Sequence, residues 1–211
     1  MEQKIAIFVD YTAIARRSSE FLEALLHPRA LDFFAFGGEP ITASIFVPVD
    51  PHSLSQIETV TNGLWDAGWL VVSKVGVPHG SDYRCPFFVE TTHAVLKAVY
   101  EQSVDTVVIS VDSPDYIPLI KSLRDMGVFV VLAGNAAFPI EIRRHSNTSL
   151  NIDRFFDFID QPSEPEDEDG RLRQIHRAHY TANPNDGDST EAEEDTEEEI
   201  HGATNSQAER T

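Results

Sequence analysis

Five short apolar runs constrain this chain more than any other feature: KIAIFVD (Lys4–Asp10), TASIFV (Thr42–Val47), WLVVSKV (Trp69–Val75), DTVVISV (Asp105–Val111) and VFVVLA (Val128–Ala133). Each is the length of a strand, rich in β-branched and aromatic residues, and close to continuous in its hydrophobicity. That is the signature of strands buried on both faces, as in parallel sheets. Between the runs, apolar residues recur at helical spacing. Ile14, Phe21, Leu22, Leu25 and Leu26 do so within Thr12–Leu26, which Pro28 ends. Further helices are predicted over Leu54–Ala67, finishing near Gly68, over Phe87–Gln102, and over Asp115–Met126, stopped by Gly127. Residues 76 to 86 are rich in glycine and proline and are predicted to be a loop, with a short helix over Pro139–Arg144.

Parallel strands need crossovers, so alternation of this kind predicts an α/β fold with three α/β/α layers around a central, mostly parallel sheet. Sites in such sheets form outside the carboxyl ends of the strands. Asp10 closes the first run and Asp112 follows the fourth. Two acids from distant parts of the chain are therefore expected at one edge of the sheet. Carboxylates about 4 Å apart repel by roughly 4 kcal/mol at an effective dielectric of 20, which favours a cation or shared protons between them. Each acid also has a structural explanation. Ser113 followed by Pro114 is a good helix N-cap with proline at the first helical position, and Asp112 or Asp115 would then charge the helix start. Asp82 reads as a turn residue or a weaker ligand. Glu90 reads as a solvated helix acid or a third ligand from the first turn of its helix, with His93 one turn on.

The chain has 211 residues, of which 41% are apolar and 24% charged, enough for one well-buried domain and an appendage. No apolar stretch approaches the roughly 20 residues that span a bilayer, and the N-terminus lacks a signal-peptide pattern, so a cytoplasmic protein with no membrane association is expected. The single cysteine, Cys85, has no neighbours in sequence that suggest a zinc site, and buried packing is its expected role. The net charge of −19 divides unevenly. From Asp160 onward there are 16 acids and 4 bases, a net of −12, against 19 acids and 12 bases before it, a net of −7. Even the domain is acidic, so any contact with nucleic acid has to be local rather than a broad basic face.

Asp105–Leu132, DTVVISVDSPDYIPLIKSLRDMGVFVVL, resembles the diagnostic stretch of NYN domains of the LabA-like group, which are related to PIN-like nucleases. In that family an apolar strand leads into a GDSDF-type turn, a PL-containing helix and a G-x-x-V strand. The corresponding residues here are Ser110, Val111, Asp112, Ser113, Asp115, Tyr116, Pro118, Leu119, Gly127 and Val131. IAIFVD resembles the family's first strand, whose final acid maps to Asp10, and NIDRFFDFI resembles its last element. The resemblance covers about residues 4 to 159. It implies a PIN-like, metal-dependent ribonuclease in which Asp10, Asp112, Asp115 and Asp82 bind Mg²⁺ or Mn²⁺, with Glu90 beside Asp10, Asp112 and Asp115 in catalysis, acting on single-stranded or structured RNA. Hard oxygen ligands select such cations, and a bound divalent ion activates water and offsets phosphate charge. Four features depart from the pattern, one being that GSDYRCPFFVETTH offers Asp82 and Glu90 only at altered spacing where the family has a lysine and an aspartate before its middle helix. Ala13 stands where the family has Asn, Val111 where it has Gly, and Pro114 is an added residue between Asp112 and Asp115, which would rotate a helical position by about 100°. These departures support a second reading, a catalytically weakened module that regulates or binds a protein. A nucleotide-binding protein is disfavoured because DYTAIARR holds no glycine-rich phosphate loop.

Residues 1–159 are thus read as one domain and 160–211 as an acidic, largely disordered tail, a route to a protein partner. Within the tail, Arg171–Tyr180 (RLRQIHRAHY) is a basic interlude that would fold back on acid or contact a partner or RNA. Phe33, Phe34 and Phe36 form an apolar insert, read either as core or as a homodimer contact.

Overall fold

The computed structural model of the chain describes residues 3–15, 20–36, 38–52, 54–79, 82–135, 138–160 and 180–181. The elements in order are β1 (Ile5–Asp10), α1 (Tyr11–Ala15), α2 (Glu20–Leu25), α3 (Ala30–Phe34), β2 (Thr42–Val49), α4 (Leu54–Asp66), β3 (Leu70–Val75), β4 (Val77–His79), β5 (Asp82–Arg84), α5 (Phe88–Gln102), β6 (Thr106–Ser110), α6 (Ile117–Asp125), β7 (Phe129–Gly134), α7 (Ile140–Arg143), β8 (Thr148–Asn151), α8 (Phe155–Asp160) and β9 (Tyr180–Thr181). Single 3-10 turns over Pro114–Tyr116 and Ile152–Arg154 lead into α6 and α8.

The main sheet has the order β3-β2-β1-β6-β7-β8-β9. Its first six strands are parallel to one another, and β9 pairs antiparallel with β8. β1 is buried along its whole length and sends alternate side chains to opposite faces. Ile5, Ile7 and Val9 join a core with Phe33, Phe34, Leu64 and Phe155 from α3, α4 and α8, and with Trp69 just before β3. Ala6 and Phe8 join a second core with Phe87, Val95, Ile120, Leu123 and Ile142 from α5, α6 and α7. These are the three expected layers. Truncating a large member such as Phe8 or Trp69 to alanine is expected to cost about 3–5 kcal/mol. The Trp69 indole also donates to the Leu25 carbonyl at 3.0 Å, tying the end of α2 to the start of β3.

Gly68 and Gly127 both have positive φ, and after each the chain reaches back into its helix: Trp69 N–H to Leu64 O, and Val128 N–H to Leu123 O. Both helices stop where the sequence places the stop, because glycine alone takes the left-handed turn at little cost. Elsewhere the chain departs from expectation. Pro48 does not end its strand: β2 runs on to Val49. The last pairing with β1 is Asp10 with Phe46, so at Pro48 the strand is flanked by β3 alone, where a missing donor costs least. Part of the predicted loop at 76–86 is a two-stranded antiparallel ribbon, β4 with β5. The helix predicted over Thr12–Leu26 is seen as α1 and α2, with residues 16–19 outside the described set. β8 was not expected from TSLN; Asn147 sets its register by donating its N–H to Val130 O and accepting from Val130 N with its side chain, both at 2.9 Å.

Phe33, Phe34 and Phe36 are in the core, the first of their two readings. The tail lies outside the described residues except for Asp160, which ends α8, and Tyr180–Thr181, which form the edge strand β9. The basic interlude is likewise outside them apart from Tyr180. No helix among the described residues is long and apolar enough to cross a membrane.

Candidate functional site at the switch point of the sheet

From β1 the chain proceeds outward through β2 and β3, then returns through β4, β5 and α5 to β6 on the other side of β1 and proceeds outward again through β7 and β8. β1 and β6 are thus the pair at which the strand order reverses, with Val9 opposite Ser110. In a parallel sheet the loops leaving such a pair diverge to opposite faces and leave a crevice at the carboxyl ends. A cavity of about 260 Å³ occupies that place, and Asp10, Asp112 and Asp115 all line it, with Thr12, Cys85 and Tyr116. The two distant acids expected at one rim do meet there.

Asp10 is 93% buried and immediately precedes α1. Its Oδ1 accepts from the Thr12 backbone N–H at 2.9 Å and from the Thr12 hydroxyl at 2.6 Å, the geometry of a helix N-cap. The structural role that the sequence left open for the other acids therefore belongs to Asp10 as well. Asp112 follows buried Val111, itself just past the last residue of β6. Ser113 caps the next turn as expected: its hydroxyl accepts from the Asp115 N–H at 3.3 Å and donates to Asp115 Oδ2 at 2.9 Å. The added residue, Pro114, is taken up by the 3-10 turn at the head of α6, and Asp112 and Asp115 keep a common cavity despite it.

Glu90 does not line the cavity. Lys74 of β3 reaches it at 2.8 Å, and this hydrogen-bonded ion pair lowers the Glu90 pKa and raises that of Lys74. Its second oxygen, Oε2, is buried without a hydrogen-bond partner. Glu90 is one layer back, near enough for its charge to act on Tyr116 and Cys85. His93 is exposed on α5 and does not reach the cavity. The backbone of Asp82 begins β5, opposite His79, and its side chain lies outside the described set.

Sequence inspection missed the other wall. Phe87 and Phe88 line the cavity beside Tyr116, whose ring meets that of Phe88 edge-on at 5.2 Å. Burial above all pushes the Tyr116 pKa well above the ordinary tyrosine range; the Thr91 side chain works against it, and the charges of Asp10, Asp112 and Glu90 each add a smaller upward push. Burial likewise raises the Cys85 thiol, assisted by Glu90 and Asp10 and opposed by Lys74. Both groups stay protonated at neutral pH. Tyr116 is thus a hydrogen-bond donor beside two carboxylates, and Cys85 is no thiolate nucleophile.

No family model matches the sequence, and no curated protein matches it. Among solved structures, a protein of unknown function from Vibrio parahaemolyticus RIMD 2210633 is similar, with a TM-score of 0.54 and 16% identity over 73% of this chain and 95% of that one. The likeness establishes the fold. At this identity it carries nothing about chemistry.

Among the described residues no three His, Cys, Asp or Glu side chains are grouped to hold a metal ion. An all-protein cage does not fit this donor set. Asp10 and Asp112, which line one cavity, are the two carboxylates that would hold a small hard cation, with water completing its shell.

Proposed function

We propose that this chain is a divergent NYN-type domain of the PIN-like class, acting on RNA phosphodiesters at the switch-point cavity with Mg²⁺ or Mn²⁺ recruited by Asp10 and Asp112. The observation that carries it is the meeting of these two acids, about a hundred residues apart in sequence, on one cavity at the carboxyl rim. A divalent ion bound there would supply an activated water and offset the phosphate charge. The protein's own contributions are positional. Thr12 fixes one oxygen of Asp10 and so orients the other. Tyr116, held protonated, donates to an anionic oxygen brought to the two acids. Phe87 and Phe88 give a base or sugar an apolar wall and limit water at the reacting phosphate. Because the domain itself is acidic, RNA is held through this local contact rather than a basic surface.

A second reading is a catalytically weakened module that regulates or binds a protein. It is favoured by the engagement of Glu90 with Lys74 and by Ala13, buried where the family pattern has a polar residue. The test is Mn²⁺ titration of the full chain by calorimetry, together with cleavage of single-stranded and hairpin RNA, beside Asp10→Asn/Asp112→Asn. On the nuclease reading the double variant loses Mn²⁺ heat and at least about 100-fold in cleavage rate. Cleavage at the full rate in the double variant sinks this site. Neither heat nor cleavage in the natural chain leaves the second reading.

A further inference from the structure

At the opposite end of the sheet lies a larger cavity, of about 560 Å³, with the reverse charge. Lys121 and Arg124 of α6 and His145, after α7, line it around Phe129 and Asn147, with Asp125 as the one acid on its wall. The Arg124 guanidinium donates to the His145 carbonyl at 3.0 Å, which holds α6 and the His145 turn together. Burial, then the charges of Lys121 and Arg124, depress the His145 pKa, which shows how closely these groups crowd. In a chain of net charge −19, a cavity with Lys121 and Arg124 against the single acid Asp125 is out of character.

Topology sends the chain toward this cavity. β9 runs antiparallel to β8, with Tyr180 opposite Leu150 and Thr181 opposite Ser149. The chain therefore leaves Thr181 heading toward Thr148 and Asn147, at the amino end of the sheet, where this cavity is. Asn147 is two residues beyond Ser149, about 7 Å along the strand. Asp186 follows Thr181 by five residues, a reach of up to about 17 Å. From Asp186 to Glu199 the sequence holds nine carboxylates and no lysine or arginine. We propose that the acidic stretch Asp186–Glu199 docks onto the Lys121–Arg124–His145 cavity of its own chain, so that the fold carries an internal polyanion ligand at the end of the sheet away from Asp10 and Asp112. It is independent of the chemistry at the carboxyl rim.

The experiment uses the full chain. Zero-length carbodiimide coupling joins a lysine amine to a carboxylate in contact with it, and an equal mixture of isotopically heavy and light chains separates links within one chain from links between two. Lys4, Lys74, Lys97 and Lys121 are the lysines available. Docking predicts that Lys121 dominates the links to residues 186–199, within one chain. It also predicts loss of those links as the screening length falls from about 10 Å at 0.1 M salt to about 3 Å at 1 M. Arg124→Gln should reduce them roughly fivefold, the order of one exposed charge contact. As an independent readout, the imidazole of His145 is titrated by NMR with the nine acids replaced by Asn and Gln; its pKa should fall, because docked carboxylates favour the imidazolium. Links spread evenly over the four lysines, links only between chains, or an unmoved His145 would each overturn the proposal, the second in favour of contact with another copy.

Discussion

At its carboxyl end the sheet gathers Asp10 and Asp112 against Phe87, Phe88 and Tyr116; at its amino end it gathers Lys121, Arg124 and His145 around Phe129. The first site is built where the strand order reverses, from residues that leave adjacent strands, with Asp10 held by the turn to Thr12 and Asp115 by Ser113. The second is built from one helix and one loop, at the surface, and its charges are held in place by little beyond the Arg124 bond to the His145 carbonyl. The contrast teaches that an acidic pair inside the fold needs local hydrogen bonds to persist. A basic group at the surface needs only water and a counter-charge.

The sharpest way to break this comparison is to remove charge at the carboxyl end while keeping shape. Asp112→Asn in the otherwise natural chain is expected to cost at least about 100-fold in RNA cleavage, read from initial rates, because the proposed cation is shared between Asp112 and Asp10. The same substitution should lower the pH at which Tyr116 ionises, followed by ultraviolet difference absorbance, since one of the charges opposing the phenolate is gone.

A larger structural disturbance is available nearby. A Cβ at Gly134, the last residue of β7, would run into the ring of Phe138. Phe138 is buried in the α5–α6 core, so Gly134→Ala is expected to destabilise by about 1–3 kcal/mol in chemical denaturation, without moving either charged site.

Asp10 separates its two roles by choice of substitute. Asparagine caps a helix about as well as aspartate, whereas alanine gives up about 1 kcal/mol. Asp10→Asn should therefore keep the melting temperature and lose cation binding, while Asp10→Ala loses both. A melting temperature that falls equally in the two variants would mean that the carboxylate charge, not the cap, holds this end of α1.

Smallest of all is the Lys74–Glu90 pair, which solvent screens and which should contribute little to stability. The Glu90 pKa lies below its ordinary value of 4.5, so its contribution is present above that value and fades as pH falls through the lowered one. The Lys74 pKa lies above 10.5, so its contribution is complete below 10.5 and is lost as pH rises past the raised value. Between those limits Glu90→Gln should shift the denaturation midpoint by a constant small amount, and the difference should vanish in acid.

Much of this was legible in the sequence for specific reasons. Near-continuous apolar runs announced buried parallel strands, and Asp10 and Asp112 could be placed at one rim because each closes such a run or directly follows it. Gly68 and Gly127 marked helix ends because the left-handed turn selects them. Ser113 and Pro114 marked a helix start because their chemistry suits the cap. Other features depend on partners far along the chain. TSLN has no apolar run, and becomes a strand through β7 and the Asn147 bracket. Glu90 looked like an inward ligand on its own helix, and only the approach of β3 to α5 gives it Lys74. The aromatic wall was equally hidden, since Phe87, Phe88 and Tyr116 meet through tertiary packing alone.

The sheet's two borders are finished differently. On one side β8 is paired with β9, so its outer backbone groups are partly taken up by the chain's own later residues. On the other, β3 presents Leu70 and Val75 largely exposed, with Lys74 between them and the ribbon β4–β5 beginning just beyond. Among the described residues β3 is the longer border with no strand paired outside it, and the lysine there that reaches over to Glu90 is the charge a foreign strand would meet.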